Sequence, residues 1–196
     1  MSQKRTGCLK RRPRILLTND DGAFSPGIRI LKKRLAALAD TFICAPQAEQ
    51  SGAGHSLTLF TPLRAKKLEE NGRHFGYAID GRPADCVKLA LGALLKQKPD
   101  LVISGINPGG NFATNVFYSG TVSAAMEAYM LGIPALAVSI DSFQSPDFKF
   151  AAAFTLKMAQ RLLKAGLPHC LLNVNLPNLP PSKIKGIKVT SQGSSR

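Results

Sequence analysis

No apolar run in this chain is long enough to span a bilayer. The basic opening MSQKRTGCLKRRPR is followed by no hydrophobic signal core. Neither a membrane protein nor a secreted one is expected, and the chain reads as cytoplasmic. The four cysteines, Cys8, Cys44, Cys86 and Cys170, form no CxxC pair and read as reduced, buried thiols. There is no internal repeat, no low-complexity segment and no GxGxxG after the first strand, so a dinucleotide site has no support. Acid is missing from both ends. Residues 1–14 hold six Lys/Arg and residues 148–196 hold eight, with no Asp or Glu in either stretch. Twelve bases and twelve acids share the middle, so the net charge of +14 belongs to the ends. That distribution argues against a nucleic-acid-reading face on the core and leaves only weak, salt-sensitive attraction to anions. No specific nucleic-acid partner is expected.

What is present is a soluble globular composition, 44% hydrophobic and 19% charged over 196 residues. Strand-like and helix-like segments alternate. RILLT, TFICAP, RHFGYAI, DLVISG, IPALAVSI, CLLNVNLP and IKGIKVT read as strands. SPGIRILKKRLAALA reads as a helix with Ser25 as N-cap and Pro26 in its first turn. PADCVKLALGALLKQ, SGTVSAAMEAYMLG and residues 147–165 read as further helices. Residues 46–62 and 105–118 read as loops, the first with a short strand at its end. The alternation predicts an α/β fold, Rossmann-like, with a mostly parallel sheet and helices on both faces. Residues 1–13 read as a basic, disordered tail and 14–196 as a single domain.

In such a sheet, ligands bind beyond the carboxyl ends of the strands. Three of those ends carry unusual polar residues: Asn19-Asp20-Asp21-Gly22, Gln50-Ser51-Gly52 and Ser104-Gly105-Ile106-Asn107. Right-handed crossovers would gather them on one edge. An Asp-Asp pair alone is commonly a solvated turn or a helix cap. Here two carboxylates, a hydroxyl and an amide carbonyl form a hard-oxygen set that suits Mg²⁺ or Mn²⁺ rather than structural zinc. Gly22 would let both carboxylates swing toward one point. Further on, Tyr118-Ser119-Gly120-Thr121 opens a helix, with Ser119 as N-cap. Free N–H groups and the positive helix end make a phosphate cradle, to which Asn111 adds an amide. A divalent cation facing a phosphate predicts phosphate-ester hydrolysis.

LLTNDDGAFSPGI, APQAEQSGAGHS, DGRPADCVKLAL, PDLVISGINPGGNFATNVFYSGTVSAAMEA and GIPALAVS together resemble the SurE family of stationary-phase survival proteins, from about residue 14 to about residue 190. The resemblance implies a metal-dependent 5′/3′-nucleotidase acting on nucleoside monophosphates, with some trimming of short polyphosphate. It implies one divalent ion per subunit, Mg²⁺ or Mn²⁺, on Asp20, Asp21, Ser51 and Asn107. It implies phosphate contacts from Asn111, Ser119, Gly120 and Thr121, and assembly as a homodimer or homotetramer through a C-terminal extension. Asp20 and Asp21 are the expected catalytic pair, Asp20 the one that orients or deprotonates water.

Two features depart from the family pattern. Gln47 stands where an acid is usual, near the site but not as a ligand. The chain also stops at VTSQGSSR, where members continue into an arm that pairs with a neighbour, so the extension reads as truncated. His55 lies close enough to Ser51 to reach substrate, although a surface role is the plainer reading; His74 and His169 fall at strand starts and read as structural. A covalent aspartyl-phosphate route is disfavoured because the acids are adjacent rather than Asp-x-Asp. The rival to an enzyme is a catalytically silent nucleotide- or polyanion-binding protein.

Overall fold

The computed structural model describes residues 11–166 and 169–193. Seven strands form one sheet: β1 (Arg14–Thr18), β2 (Asp40–Pro46), β3 (Ala65–Glu70), β4 (Arg73–Ile79), β5 (Leu101–Pro108), β6 (Ala135–Asp141) and β7 (Leu171–Pro177). Their order is β3-β4-β2-β1-β5-β6-β7, and β3 alone runs antiparallel to its neighbour. The α/β reading and the mostly parallel sheet are borne out.

Side chains of a strand alternate between faces, so each buried strand feeds two cores. Ile15, Leu17, Leu101, Ile103, Leu136 and Val138 pack with α1 (Pro26–Leu35) and α5 (Phe148–Ala165). Leu16, Val102, Ala135 and Ala137 pack with α2 (Pro83–Leu89) and α4 (Gly120–Met130). A short helix, α3 (Asn115–Tyr118), precedes α4. The chain leaves β1 toward β2 on one side, while β5 pairs on the other. The point between β1 and β5 is thus the switch in strand order, where such sheets bind ligands.

The crossovers are not all of one hand. α4 and α5 both carry the chain one strand further in the same direction, yet they lie on opposite faces. The β6–α5–β7 crossover therefore has the opposite hand to the others. Its place on the face of α1 covers Leu136, Val138 and Ile140, which the ten-residue α1 is too short to shield by itself. The gathering of loops on one edge survives, because it depends on strand direction and not on hand.

Several local expectations shift. The first helix ends at Leu35, where the N–H groups of Leu38 and Ala39 both turn back onto the Leu35 carbonyl. Ser25 occupies the N-cap position, but its hydroxyl caps nothing; it accepts from Asn19 Nδ2 at 2.7 Å. The second helix passes into a π-helical turn over Ala90–Leu94. No strand closes the loop after β2; the added strand is β3, whose sequence AKKLEE has no apolar run. IKGIKVT is not a strand. Residues 184–190 find no pairing partner among the described residues, and Val189 is fully exposed. Arg11 pairs with Asp100 at 2.9 Å and Arg12 with Asp40 at 2.7 Å, so these two residues are docked. The rest of the predicted tail, residues 1–10, lies outside the described residues, as does Cys8. Cys44 and Cys86 are buried free thiols, as expected, and Cys170 is a half-buried one. No described helix is long and apolar enough to cross a membrane.

Candidate active site

At the end of β1 the chain turns sharply. The Asn19 amide donates to the Gly22 carbonyl at 3.0 Å and to Ser25 Oγ, closing a compact loop around the two acids. Gly22 sits at φ +99°, a conformation costly for any residue with a Cβ. The loop after β2 meets it there: the Ala23 N–H donates to the Pro46 carbonyl at 2.9 Å, and the Gln50 N–H to the Asp20 carbonyl at 2.7 Å.

Asp20 is 5% exposed and faces the start of α4. Its Oδ1 accepts from the Thr121 hydroxyl at 2.5 Å. Gly120 makes this possible, because a Cβ there would lie 2.7 Å from Asp20 Cβ and 2.9 Å from Oδ2. A carboxylate at the positive end of a helix is electrostatically favoured. Burial nevertheless raises the Asp20 pKa, and the bond from Thr121 opposes that rise. Asp21 is raised further, to about 7, first by burial, then by the charge of Asp20, then by Glu49.

Among the described residues, four buried oxygens at this edge have no hydrogen-bond partner: Thr18 Oγ1, Asn19 Oδ1, Asp21 Oδ2 and Ser104 Oγ. They lie at the ends of β1 and β5, where Thr18 and Ser104 are register partners. Buried oxygens left unpaired cost free energy, most of all on a carboxylate. A hard divalent cation would offset that cost and the repulsion between the two acids. Among the described residues no group of three or more His, Cys, Asp or Glu could hold a metal. A cation here would therefore rest on two carboxylates and neutral oxygens. That donor set fits magnesium, which is commonly bound by one or two carboxylates and keeps several waters.

Asp20, Gly120 and Thr121 are in direct contact. Ser51 is more peripheral: it is exposed, and its hydroxyl donates to Glu49 at 2.6 Å. The Asn107 Nδ2 donates to the Gly109 carbonyl at 2.7 Å, which fixes the amide. Asn111 is buried, with Nδ2 donating to Ser139 Oγ at 2.9 Å and its N–H to Asn175 Oδ1 at 2.7 Å. The Asn111 carbonyl in turn accepts from Asn173 and Asn175. One N–H of the Asn111 amide is thus committed to Ser139, and the second has no partner among the described residues. Ser119 caps α4, accepting from the Val122 N–H at 3.1 Å. Thr121, assigned to the phosphate by its position, holds Asp20 in this arrangement.

Four residues play parts that the sequence did not foretell. Glu49 acts on both aspartates through its charge. Asn19 shapes their loop. Asn173 and Asn175, two apart on β7, hold Asn111, and their alternation in CLLNVNLP was the available signal. His74 and His169 are remote, as expected. His74 packs against Phe42 and Tyr77, and His169 stacks on Tyr129.

The family model described as "Survival protein SurE" matches residues 15–196. A protein of Syntrophobacter fumaroxidans named 5′-nucleotidase SurE is 51% identical, aligning over 92% of this chain and 72% of its own length. One of the same name from Desulfitobacterium hafniense is 53% identical, with 92% and 71% covered. The crystal structure of the SurE protein from Aquifex aeolicus superposes with a TM-score of 0.85 at 45% identity, covering 93% of this chain and 73% of that one.

Proposed function

Because this chain belongs to the survival protein SurE family, we propose that it is a divalent-metal-dependent nucleotidase that hydrolyses nucleoside monophosphates to nucleoside and phosphate. The observation that carries the reading is the set of unpartnered oxygens beside Asp20 and Asp21, at the switch point of the sheet and facing a helix start. Asp20 and Asp21 would hold a Mg²⁺ or Mn²⁺ ion, with Ser51 and Asn107 completing the set. When bound, such an ion supplies Lewis acidity, polarising a phosphate oxygen and acidifying a water. The remaining chemistry belongs to the chain. The start of α4, with Ser119, Gly120 and Thr121, and the free N–H of Asn111 orient the phosphate for in-line attack. Asp20, pinned at Oδ1 by Thr121, directs the attacking water and takes its proton. The bond from phosphorus to the nucleoside oxygen breaks as the bond to water forms; the nucleoside oxygen takes a proton from solvent as it leaves, and Asp20 returns the proton it took to solvent.

The assembly is proposed as a homodimer or homotetramer. Phe60 (98% exposed) and Phe143 (84%) are side chains such an assembly is expected to cover. Mass measurement in solution tests this.

The function is tested by phosphate release from 5′-AMP, 3′-AMP and tripolyphosphate across Mg²⁺, Mn²⁺ and EDTA. Release from 5′-AMP that stops with EDTA and returns with Mn²⁺ is the expected result. Nucleotide binding with no release under any metal would replace the enzyme by the silent binder.

A further inference from the structure

A buried charge lies outside the machinery just described. Glu127, in the third turn of α4, has a side chain only 4% exposed, and both of its oxygens are engaged. Oε1 pairs with Lys88 Nζ of α2 at 3.1 Å. Oε2 pairs with His55 Nε2 at 2.9 Å. Lys88 ties one helix to another inside a packed face and explains half of the carboxylate. His55 belongs to neither helix. It sits four residues past Ser51, in the loop that follows β2.

That loop has little else to hold it. Residues 51–62 contain no helix or strand, and Leu59 and Phe60 are largely exposed. Its attachments fall at separate points. Gln50 is fixed by its N–H on the Asp20 carbonyl and by its side chain, which accepts from Arg82 at 2.7 Å. Thr58 donates its N–H to Asp85 at 3.1 Å. Between them, Gly54 donates its N–H to the Tyr118 carbonyl at 3.0 Å, directly before the Ser119 cap. His55 on Glu127 is the side-chain contact that backs this middle attachment. Ser51 therefore hangs between two clamps, one on the aspartate loop and one on the helix that carries the phosphate cradle.

We infer that Glu127, through His55, positions the Ser51 loop against α4 and thereby sets how well Ser51 is presented to a cation at Asp20 and Asp21. The inference rests on the metal reading above, and it adds a role to two residues outside the ligand set. A buried carboxylate engaged by both His and Lys is a strong, directional anchor. The loop is held by chemistry and not by its own packing. His55 and Glu127 are positioning residues, since neither touches a proposed ligand.

The test separates this role from general stability. His55→Ala removes the tie, His55→Gln keeps a donor near the position of Nε2, and Lys88→Ala removes only the helix-to-helix partner. Two readouts are taken on the full chain: amide hydrogen exchange at Gly54 without metal, and Mn²⁺ affinity followed by electron paramagnetic resonance. His55→Ala is expected to raise Gly54 exchange at least about tenfold and to weaken Mn²⁺ binding about 10-fold, the usual scale for groups that orient metal ligands. His55→Gln is expected to restore both, Lys88→Ala to change neither, and the melting temperature of His55→Ala to stay near that of the parent. Unchanged Gly54 exchange in His55→Ala overturns the anchor, as does an equal rise in Lys88→Ala. Gly54 loosening with unchanged Mn²⁺ affinity overturns the link to Ser51. A parent chain that binds no Mn²⁺ overturns the metal reading itself, and the link to Ser51 with it; the exchange data still judge the anchor.

Discussion

Replacing Asp21 with Asn should make the metal-free protein more stable while removing its response to metal. Asp21 carries a pKa raised from 3.8 to about 7, chiefly through burial and then through the charge of Asp20. A carboxyl whose pKa is higher folded than unfolded holds its proton more tightly in the native state. Between pH 4 and 7 the unfolded chain has lost that proton and the folded chain has not, so stability falls as pH rises through this window and the loss is complete above it. A shift of about three units at about 1.4 kcal/mol each gives a ceiling near 4 kcal/mol. Asparagine is nearly isosteric and carries no charge, so it removes the penalty. In EDTA at pH 8 the variant should exceed the parent by about 2–4 kcal/mol, or roughly 5–15 °C in melting temperature for a chain of this size. At pH 4.5 the gap should shrink to about 1 kcal/mol, because the folded parent is then protonated at Asp21 and the pH is only just above the unfolded value of 3.8. Adding Mn²⁺ at about 100 times its dissociation constant should raise the parent by about 2.7 kcal/mol and leave the variant unmoved. Thermal melts by circular dichroism, with and without EDTA at the two pH values, measure all of this. An Asp21→Asn protein that melts at or below the parent in EDTA at pH 8, or a gap as wide at pH 4.5 as at pH 8, would refute the reasoning.

Gly120→Ala places a methyl group 2.7 Å from Asp20 Cβ. It should cost about 1–3 kcal/mol in denaturant unfolding and abolish phosphate release, since the aspartate must move. Thr121→Val removes the 2.5 Å donor to Asp20 and should destabilise by about 1–3 kcal/mol. The Thr121 bond opposes the rise in the Asp20 pKa, so its loss should move the acid limb of the pH–activity profile upward, and Thr121→Ser should restore both. Asn71 occupies φ +51° in the two-residue turn between β3 and β4. Asn71→Ala should therefore cost about 1–2 kcal/mol in thermal stability without altering nucleotide turnover.

The strands that could be read from the sequence were those buried on both faces. Ile15–Leu17 and Leu101–Ile103 are continuous apolar runs because helices cover them above and below, and that burial is written into residue type. β3 was illegible by the same criterion. AKKLEE buries only Leu68, and its pairing is set by the Asn71-Gly72 turn, a hairpin signal that hydrophobic pattern does not register. IKGIKVT failed in the other direction. Its alternation satisfies a strand template, but a strand also needs an edge to join, and an exposed segment without a partner has nothing to satisfy its backbone. The hand of the β6–α5–β7 crossover was equally hidden, since it depends on which face is left uncovered, a property of the whole sheet.

The candidate site shows the same division between residue type and partnership. Adjacent acids, an amide and hydroxyls at strand ends are visible one residue at a time, and topology is enough to bring them to one edge. Which atom bonds which is not visible. Thr121 was assigned outward, to a phosphate, yet its hydroxyl is spent inward on Asp20. That contact follows from Gly120, whose missing side chain admits Asp20 to the helix end. Asp20 thus already occupies part of the positive field that a phosphate would seek. On the function proposed above, a phosphate arriving without a cation would meet two carboxylates there, with the charge of Glu49 nearby. On that reading, Asp20 and Asp21 would make the site repel a phosphate without a cation and accept it with one.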